Sequence, residues 1–96
     1  MLDITADHRD FRGSLTARLD GQPVGHIDFI PSGPGVVDLN HTLVFPAFEG
    51  RGFGRELVAA AVAFARAEGL KLEASCPYAA QVIARRSDWA DVWDKS

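Results

Sequence analysis

Apolar and polar positions alternate through the first half of the chain and recur at helical spacing through the second. From Phe11 to Leu19, FRGSLTARL alternates loosely, as a half-buried strand does. The DGQP run, Asp20 to Pro23, is a turn signal. In VGHIDFI, Val24, His26, Asp28 and Ile30 fall on one side and Gly25, Ile27 and Phe29 on the other. Ile27 and Phe29 mark the face expected to be buried. PSGPG, Pro31 to Gly35, is the strongest loop signal in the chain. VVDLNHTLVF, Val36 to Phe45, reads as a longer strand with Val37, Leu39 and Leu43 pointing inward. Short turns between these segments predict an antiparallel meander.

The period then changes. RELVAAAVAFARAEG, Arg55 to Gly69, places Leu57, Ala61 and Phe64 at helical spacing, while Val58, Val62 and Ala65 widen the apolar face. Its alanines favour helix, and Gly69 stands where a C-terminal cap belongs. LKLEASC, Leu70 to Cys76, reads as a buried strand. Pro77 suits the first turn of a second helix, PYAAQVIARR, ending near Arg86. SDWADVW predicts a short terminal turn whose Trp89 and Trp93 pack back onto the core. The step from Val36 to Cys76 is then a strand–helix–strand crossover with its two strands parallel. The expected fold class is α+β: a mixed sheet built from an antiparallel meander, a β-α-β crossover and a short C-terminal helix. All 96 residues are expected to form one domain.

Composition narrows the function classes. With 47% apolar and 24% charged residues the chain has the make-up of an ordinary globular domain. Ten basic against 13 acidic side chains leave a formal charge of −3, which argues against a nucleic-acid footprint. No apolar run is long enough for a membrane helix, and MLDITADHRDF lacks the pattern of a signal peptide. The single cysteine, Cys76, has no internal disulfide partner and fits a reducing, cytoplasmic setting.

The densest chemical signal is FEGRGFGREL, Phe48 to Leu57, with Gly50, Gly52 and Gly54 at alternate positions. A nucleotide P-loop would need lysine and a hydroxyl residue after the last glycine, where Arg55 and Glu56 stand. A dinucleotide fingerprint would need G-x-G-x-x-G near the start of a βαβ unit, and the spacing and the preceding meander both differ. Two readings remain. The loop either cradles a pyrophosphate on its amides and the helix N-terminus, aided by Arg51 and Arg55, or is a turn that merely connects strand to helix.

Separated features carry a family resemblance: HT at His41–Thr42, the loop from Glu49 to Gly54, the apolar helix, CPY at Cys76–Tyr78, the short helix, and RRSDWAD. From His41 to about Trp89 the chain resembles the small, single-domain branch of the GNAT-type N-acetyltransferases, with a looser likeness in the first strands. Glu49 stands where the wider superfamily has glutamine or arginine. The resemblance implies acetyl-CoA as co-substrate and no metal. It puts the pyrophosphate on the loop amides, here Gly50, Arg51, Gly52, Phe53 and Gly54, with Arg55 at the helix start. It puts the pantetheine arm between two splayed parallel strands, Val36–Phe45 and Leu70–Cys76, bonded by backbone near Leu43, Val44 and Phe45.

Three residues are candidates for the chemistry. Cys76 closes a strand and precedes Pro77, so it is expected at the N-cap of the short helix, where the helix dipole favours thiolate. It is either a transient nucleophile accepting acetyl, a group that shapes and polarises the site, or an inert buried thiol. Tyr78 resembles the general acid of larger relatives, and otherwise is an aromatic filling the groove. His41 is a base or a partner of Cys76, or a hydrogen-bonded structural histidine. His8 and His26 carry no such context, and Arg85 and Arg86 read as a solvated helix end.

The leading expectation is acetyl transfer to an exposed amine of a protein or peptide, because the chain lacks the helices that commonly enclose an acceptor pocket. The alternative is a CoA-binding module with little catalysis, such as a sensor or interaction domain. Neither nucleic acid nor membrane is an expected partner.

Overall fold

A computed structural model describes residues 1–94. Five strands form one sheet in the order β1-β2-β3-β4-β5: β1 Leu2–Arg9, β2 Arg12–Leu19, β3 Gln22–Gly33, β4 Val36–Val44 and β5 Lys71–Ala74. The first four pair antiparallel in sequence order, and β4 pairs parallel with β5 from Val36–Lys71 to Leu39–Ala74. Helix α1, Phe53–Glu68, joins β4 to β5, and α2, Pro77–Ala84, follows. The α+β class, the meander and the parallel crossover pair are as the sequence pattern predicts.

The core lies between the sheet and α1. Leu15, Ala17, Ile27, Phe29, Val37 and Leu39 face Leu57, Val58, Ala61, Val62 and Ala65, all buried. Burying a side chain such as Leu57 or Ile27 contributes about 1.5–3 kcal/mol before conformational entropy is charged against it. Gly69 ends α1 in the left-handed region and donates its N–H to the carbonyls of Ala65 and Arg66, as its place after an apolar helical run predicts. Trp89 packs into the core after α2, and Trp93 makes an isolated bridge to Leu72.

Several boundaries differ from the sequence expectation. The meander has four strands rather than three, because LDITADHR forms an edge strand beside β2. Its apolar positions, Leu2, Ile4 and Ala6, are separated by Asp3, Thr5 and Asp7, and edge placement leaves most of them partly exposed. The loop expected at Pro31–Gly35 shrinks to a turn, since β3 continues to Gly33. Helix α1 starts earlier, at Phe53, α2 stops at Ala84, and β5 is confined to Lys71–Ala74.

Two β-bulges reverse side-chain direction. Ala17 pairs with Gly25 and Arg18 with Pro23, which makes Val24 an extra residue and turns it into the core, not outward with His26 and Asp28. On β4, Phe29 pairs with Leu39 but Asp28 with His41, so Asn40 is extra. Beyond it the alternation is inverted, and Leu43, expected to point inward, is 38% exposed.

Candidate functional site

Strand β5 ends at Ala74 while β4 runs on to Val44, so beyond Leu39 the edge of β4 has no strand beside it. The N–H of Phe45 bonds the carbonyl of Val24. By the alternation of an antiparallel ladder, the backbones of Leu43 and His41 also face β3, and those of Thr42 and Val44 face the open edge. Of the three backbone positions the resemblance implies, Val44 therefore offers free polar groups there, and the Phe45 amide is already engaged.

A cleft of about 660 Å³ opens along this edge. Thr42, Val44, Phe48, Glu49, Gly50 and Gly52 line one part of it, and Phe53, Gly54, Arg55 and Tyr78 close the other. The three glycines of the loop do different work. Gly50 and Gly52 have φ values of +81° and +80°, a region that side chains with a Cβ rarely adopt, and neither has an atom within 4 Å of where a Cβ would stand. They turn the chain and expose bare backbone. At Gly54 a Cβ would lie 2.8 Å from the Tyr78 hydroxyl oxygen, so this glycine makes room for the tyrosine ring.

Gly52 is also the N-cap of α1, and among the described residues no side chain caps the helix. Glu56 is the first residue whose N–H bonds back, to the Gly52 carbonyl, which leaves the amides of the preceding turn at the positive end of the helix dipole. Arg51 sits over the Phe48 ring, and neither Arg51 nor Arg55 forms an ion pair among the described residues. Bare amides, a helix terminus and guanidinium groups without ion-pair partners among the described residues are the groups that could hold an anion here.

At the other end, Cys76 is the N-cap residue of α2, where the step from strand to Pro77 predicts it. It is buried, with 8% of its surface exposed, and Sγ lies 3.5 Å from Oγ1 of Thr42. Burial pushes the thiol up, but the Thr42 hydroxyl and the amides of Ala79, Tyr78 and Thr42 outweigh it and hold Cys76 below its ordinary 9.0. Just upstream, the Asp38 carboxylate accepts hydrogen bonds from the Ser75 amide at 2.8 Å and its hydroxyl at 2.6 Å, which fastens the end of β5 to β4. Tyr78, in the first turn of α2, is 40% exposed and reaches both the cleft and Gly54.

His41 does not partner Cys76. The extra residue Asn40 sends Thr42 to the Cys76 side of β4 and His41 to the opposite face of the sheet, where its ring lies 6.0 Å from that of His26. Thr42 takes the place beside the thiol that the sequence assigned to histidine. His8 packs on the other face against Phe11 and Phe64 and accepts the Phe11 N–H at Nδ1. Beyond Tyr78 a second cleft of about 500 Å³ is lined by Arg55, Ala59, Gln81, Val82, Arg85 and Trp89. Arg86 stacks over Trp89 and bonds Asp88, so of the two arginines ending α2, Arg85 is the one without an ion-pair partner among the described residues.

Both the sequence and the fold of this chain have known counterparts. The model of the GCN5-related N-acetyl-transferases matches residues 14–92. The chain belongs to that family. Among its relatives, Protein NATD1 of Gallus gallus is 36% identical over 78% of this chain and 69% of its own length. The solution structure of a GCN5-like protein from Staphylococcus aureus superposes with a TM-score of 0.74, covering 98% of this chain and 89% of that one. At 22% identity that likeness speaks to the fold alone. A GNAT family acetyltransferase from Brucella melitensis, solved in complex with acetyl-CoA, is 34% identical with a TM-score of 0.57. The match covers 69% of this chain and 48% of that one.

Proposed function

We propose that the chain is an acetyl-CoA-dependent N-acetyltransferase acting on an exposed amine of a protein or peptide. The observation that carries this reading is the cleft where β4 outruns β5, lined by the glycine loop, by Tyr78 and by Thr42, whose hydroxyl meets the Cys76 thiol. Bound acetyl-CoA supplies an activated thioester. Gly50, Arg51, Gly52, Phe53, Gly54 and Arg55 would hold its pyrophosphate, and the Thr42 carbonyl and the Val44 backbone at the open edge its pantetheine amides, as an added strand is held. The left-handed turns at Gly50 and Gly52, with no atom near either, leave the close approach such a phosphate needs.

Tyr78 would protonate the departing thiolate, and the thiol of Cys76 would polarise the site beside Thr42 or accept acetyl transiently. Its burial and its bond to Thr42 favour the polarising role over the nucleophilic one. His41, on the far side of β4, would line the approach of the amine and not partner Cys76. A reducing, cytoplasmic setting, where Cys76 stays a thiol, belongs to this reading. Among the described residues no helix is long and apolar enough to cross a membrane.

Calorimetry with acetyl-CoA and with CoA tests the cofactor claim, and no heat at saturating ligand would sink it. The close seating of Tyr78 against Gly54 favours, as a second reading, a CoA-binding module in which the ring is a wall of the groove. Binding of acetyl-CoA without release of free CoA across a panel of amine and peptide acceptors selects that reading. Intact mass after incubation with acetyl-CoA decides whether Cys76 carries acetyl.

A further inference from the structure

Among the described residues no helix covers the face of the sheet opposite α1, and one polar cluster on it has no part in the core. Asp28 Oδ1 accepts the Ser14 hydroxyl at 2.6 Å and lies 2.8 Å from His26 Nδ1. His41, the cross-strand partner of Asp28, brings its ring to 6.0 Å from that of His26. With Asp28 as the acceptor, Nδ1 of His26 carries the hydrogen, and in the neutral ring Nε2 presents a lone pair, the arrangement that orients a histidine as proton acceptor. The side chains of His26 and Asp28 are 29% and 32% exposed, shielded yet within reach of a small group.

We propose that this cluster is the acceptor subsite, in which His26, oriented by Asp28, takes a proton from a primary ammonium group lying against His41. The inference rests on the acetyl-transfer reading for its chemistry. The cluster sits at the level of β4 where the reacting end of the cleft lies: Ile27 pairs with Thr42, whose hydroxyl meets Cys76 on the far face, and His41 is the next residue. Because β4 has no strand beside it beyond Leu39 among the described residues, its open face and the cleft border the same free edge.

The three side chains do not form a metal-ligand set: no group of three or more His, Cys, Asp or Glu converges so among the described residues. The other groups on this face around His26 are Thr16 opposite it and Arg18 bonded to Thr5 on the β1–β2 side. Asp7 stands opposite Ser14, and Leu43 stands opposite His26 on β4.

The ammonium gives one proton to His26 Nε2, and its freed electron pair forms the C–N bond to the acetyl carbonyl carbon. The C–S bond breaks with its pair on the CoA sulfur, which takes the Tyr78 hydroxyl proton. The second proton lost from nitrogen as the amide forms restores that hydroxyl. One ammonium and one acetyl thioester become one amide, one thiol and one proton, which His26 returns to solvent.

The decisive test needs no cofactor. The histidine ring signals of the full chain are followed by NMR at fixed pH during titration with ethylammonium, and separately with tetramethylammonium, a cation without N–H donors. Ethylammonium is expected to shift the ring signals of both His26 and His41, tetramethylammonium neither, and Asp28→Asn is expected to abolish the His26 response. Equal responses to the two cations, or none, overturn the subsite.

In a second arm, His26→Gln is expected to lower ethylamine acetylation about 100-fold near neutral pH. Its rate should approach that of the wild type at high pH, where the amine is already deprotonated. A loss that is the same at every pH overturns the base assignment. An ammonium response without acetyl-CoA binding sinks the transfer reading and leaves the subsite. Acetyl-CoA binding without that response does the reverse.

Discussion

Replacing Gly54 with alanine sets a helix gain against a ring. The new Cβ would lie 2.8 Å from the Tyr78 hydroxyl oxygen, 3.1 Å from Cζ and 3.2 Å from Cε2. Gly54 is in the first turn of α1 with ordinary helical backbone, so alanine relieves up to about 1 kcal/mol of glycine's conformational cost. If the ring stayed in place, overpacking would cost about 1–3 kcal/mol. The ring is 40% exposed and hangs from the first turn of α2, so it swings outward instead. Stability should then hold or rise by up to about 1 kcal/mol, a Tm increase of no more than roughly 8 °C. The cleft loses the wall it shares with Gly54, and affinity for acetyl-CoA should fall at least about tenfold, or 1.4 kcal/mol. Thermal unfolding and calorimetry on one sample read both numbers. Wild-type affinity in the variant would refute the idea that seating Tyr78 shapes the site. A Tm drop of several degrees would refute the outward swing.

Gly52→Ala forces a residue with a Cβ to keep a φ of +80°, at a cost of about 1–2 kcal/mol, and Gly52→Asn should cost less. Urea denaturation compares them, and equal midpoints for Ala, Asn and wild type would show that the turn relaxes. Thr42→Val removes the hydroxyl beside Cys76 and should move the pH midpoint of iodoacetamide alkylation upward. The sign for stability follows from a folded-state pKa held below 9.0. The thiolate contributes stability that is complete above 9.0 and is lost as pH falls through the depressed value. Thr42→Val should shrink that pH-dependent part, and an unchanged alkylation profile would count against the hydroxyl.

What could be read from the sequence follows from how each signal arises. Helix α1 is legible because Leu57, Val58, Ala61, Val62 and Ala65 all face one core, and a 3.6-residue period survives small errors in its ends. Cys76 as N-cap is legible because Pro77 admits few alternatives. Edge strand β1 is not obvious, although LDITADHR alternates, because its acidic and basic side chains mask the short apolar positions. The bulges at Val24 and Asn40 were hidden for a different reason. An extra residue leaves no mark in a pattern of period two except a break in phase, and the register of the neighbouring strand is needed to see it.

The Asn40 bulge determines how the site can be divided. In an unbroken β4, His41 would point toward the core with Val37 and Leu39, beside Cys76, and Thr42 would face outward. One added residue exchanges them. A small hydroxyl fits beside the buried thiol and lowers its pKa, where a histidine ring would crowd the N-cap of α2. The imidazole is moved to the open face, next to Asp28 and His26. The same bulge falls where β5 ends, so the strand is free at its edge over the stretch where its two faces carry different groups. A single irregularity thus puts the groups that would hold a thioester and those that would hold an amine on opposite sides of one strand.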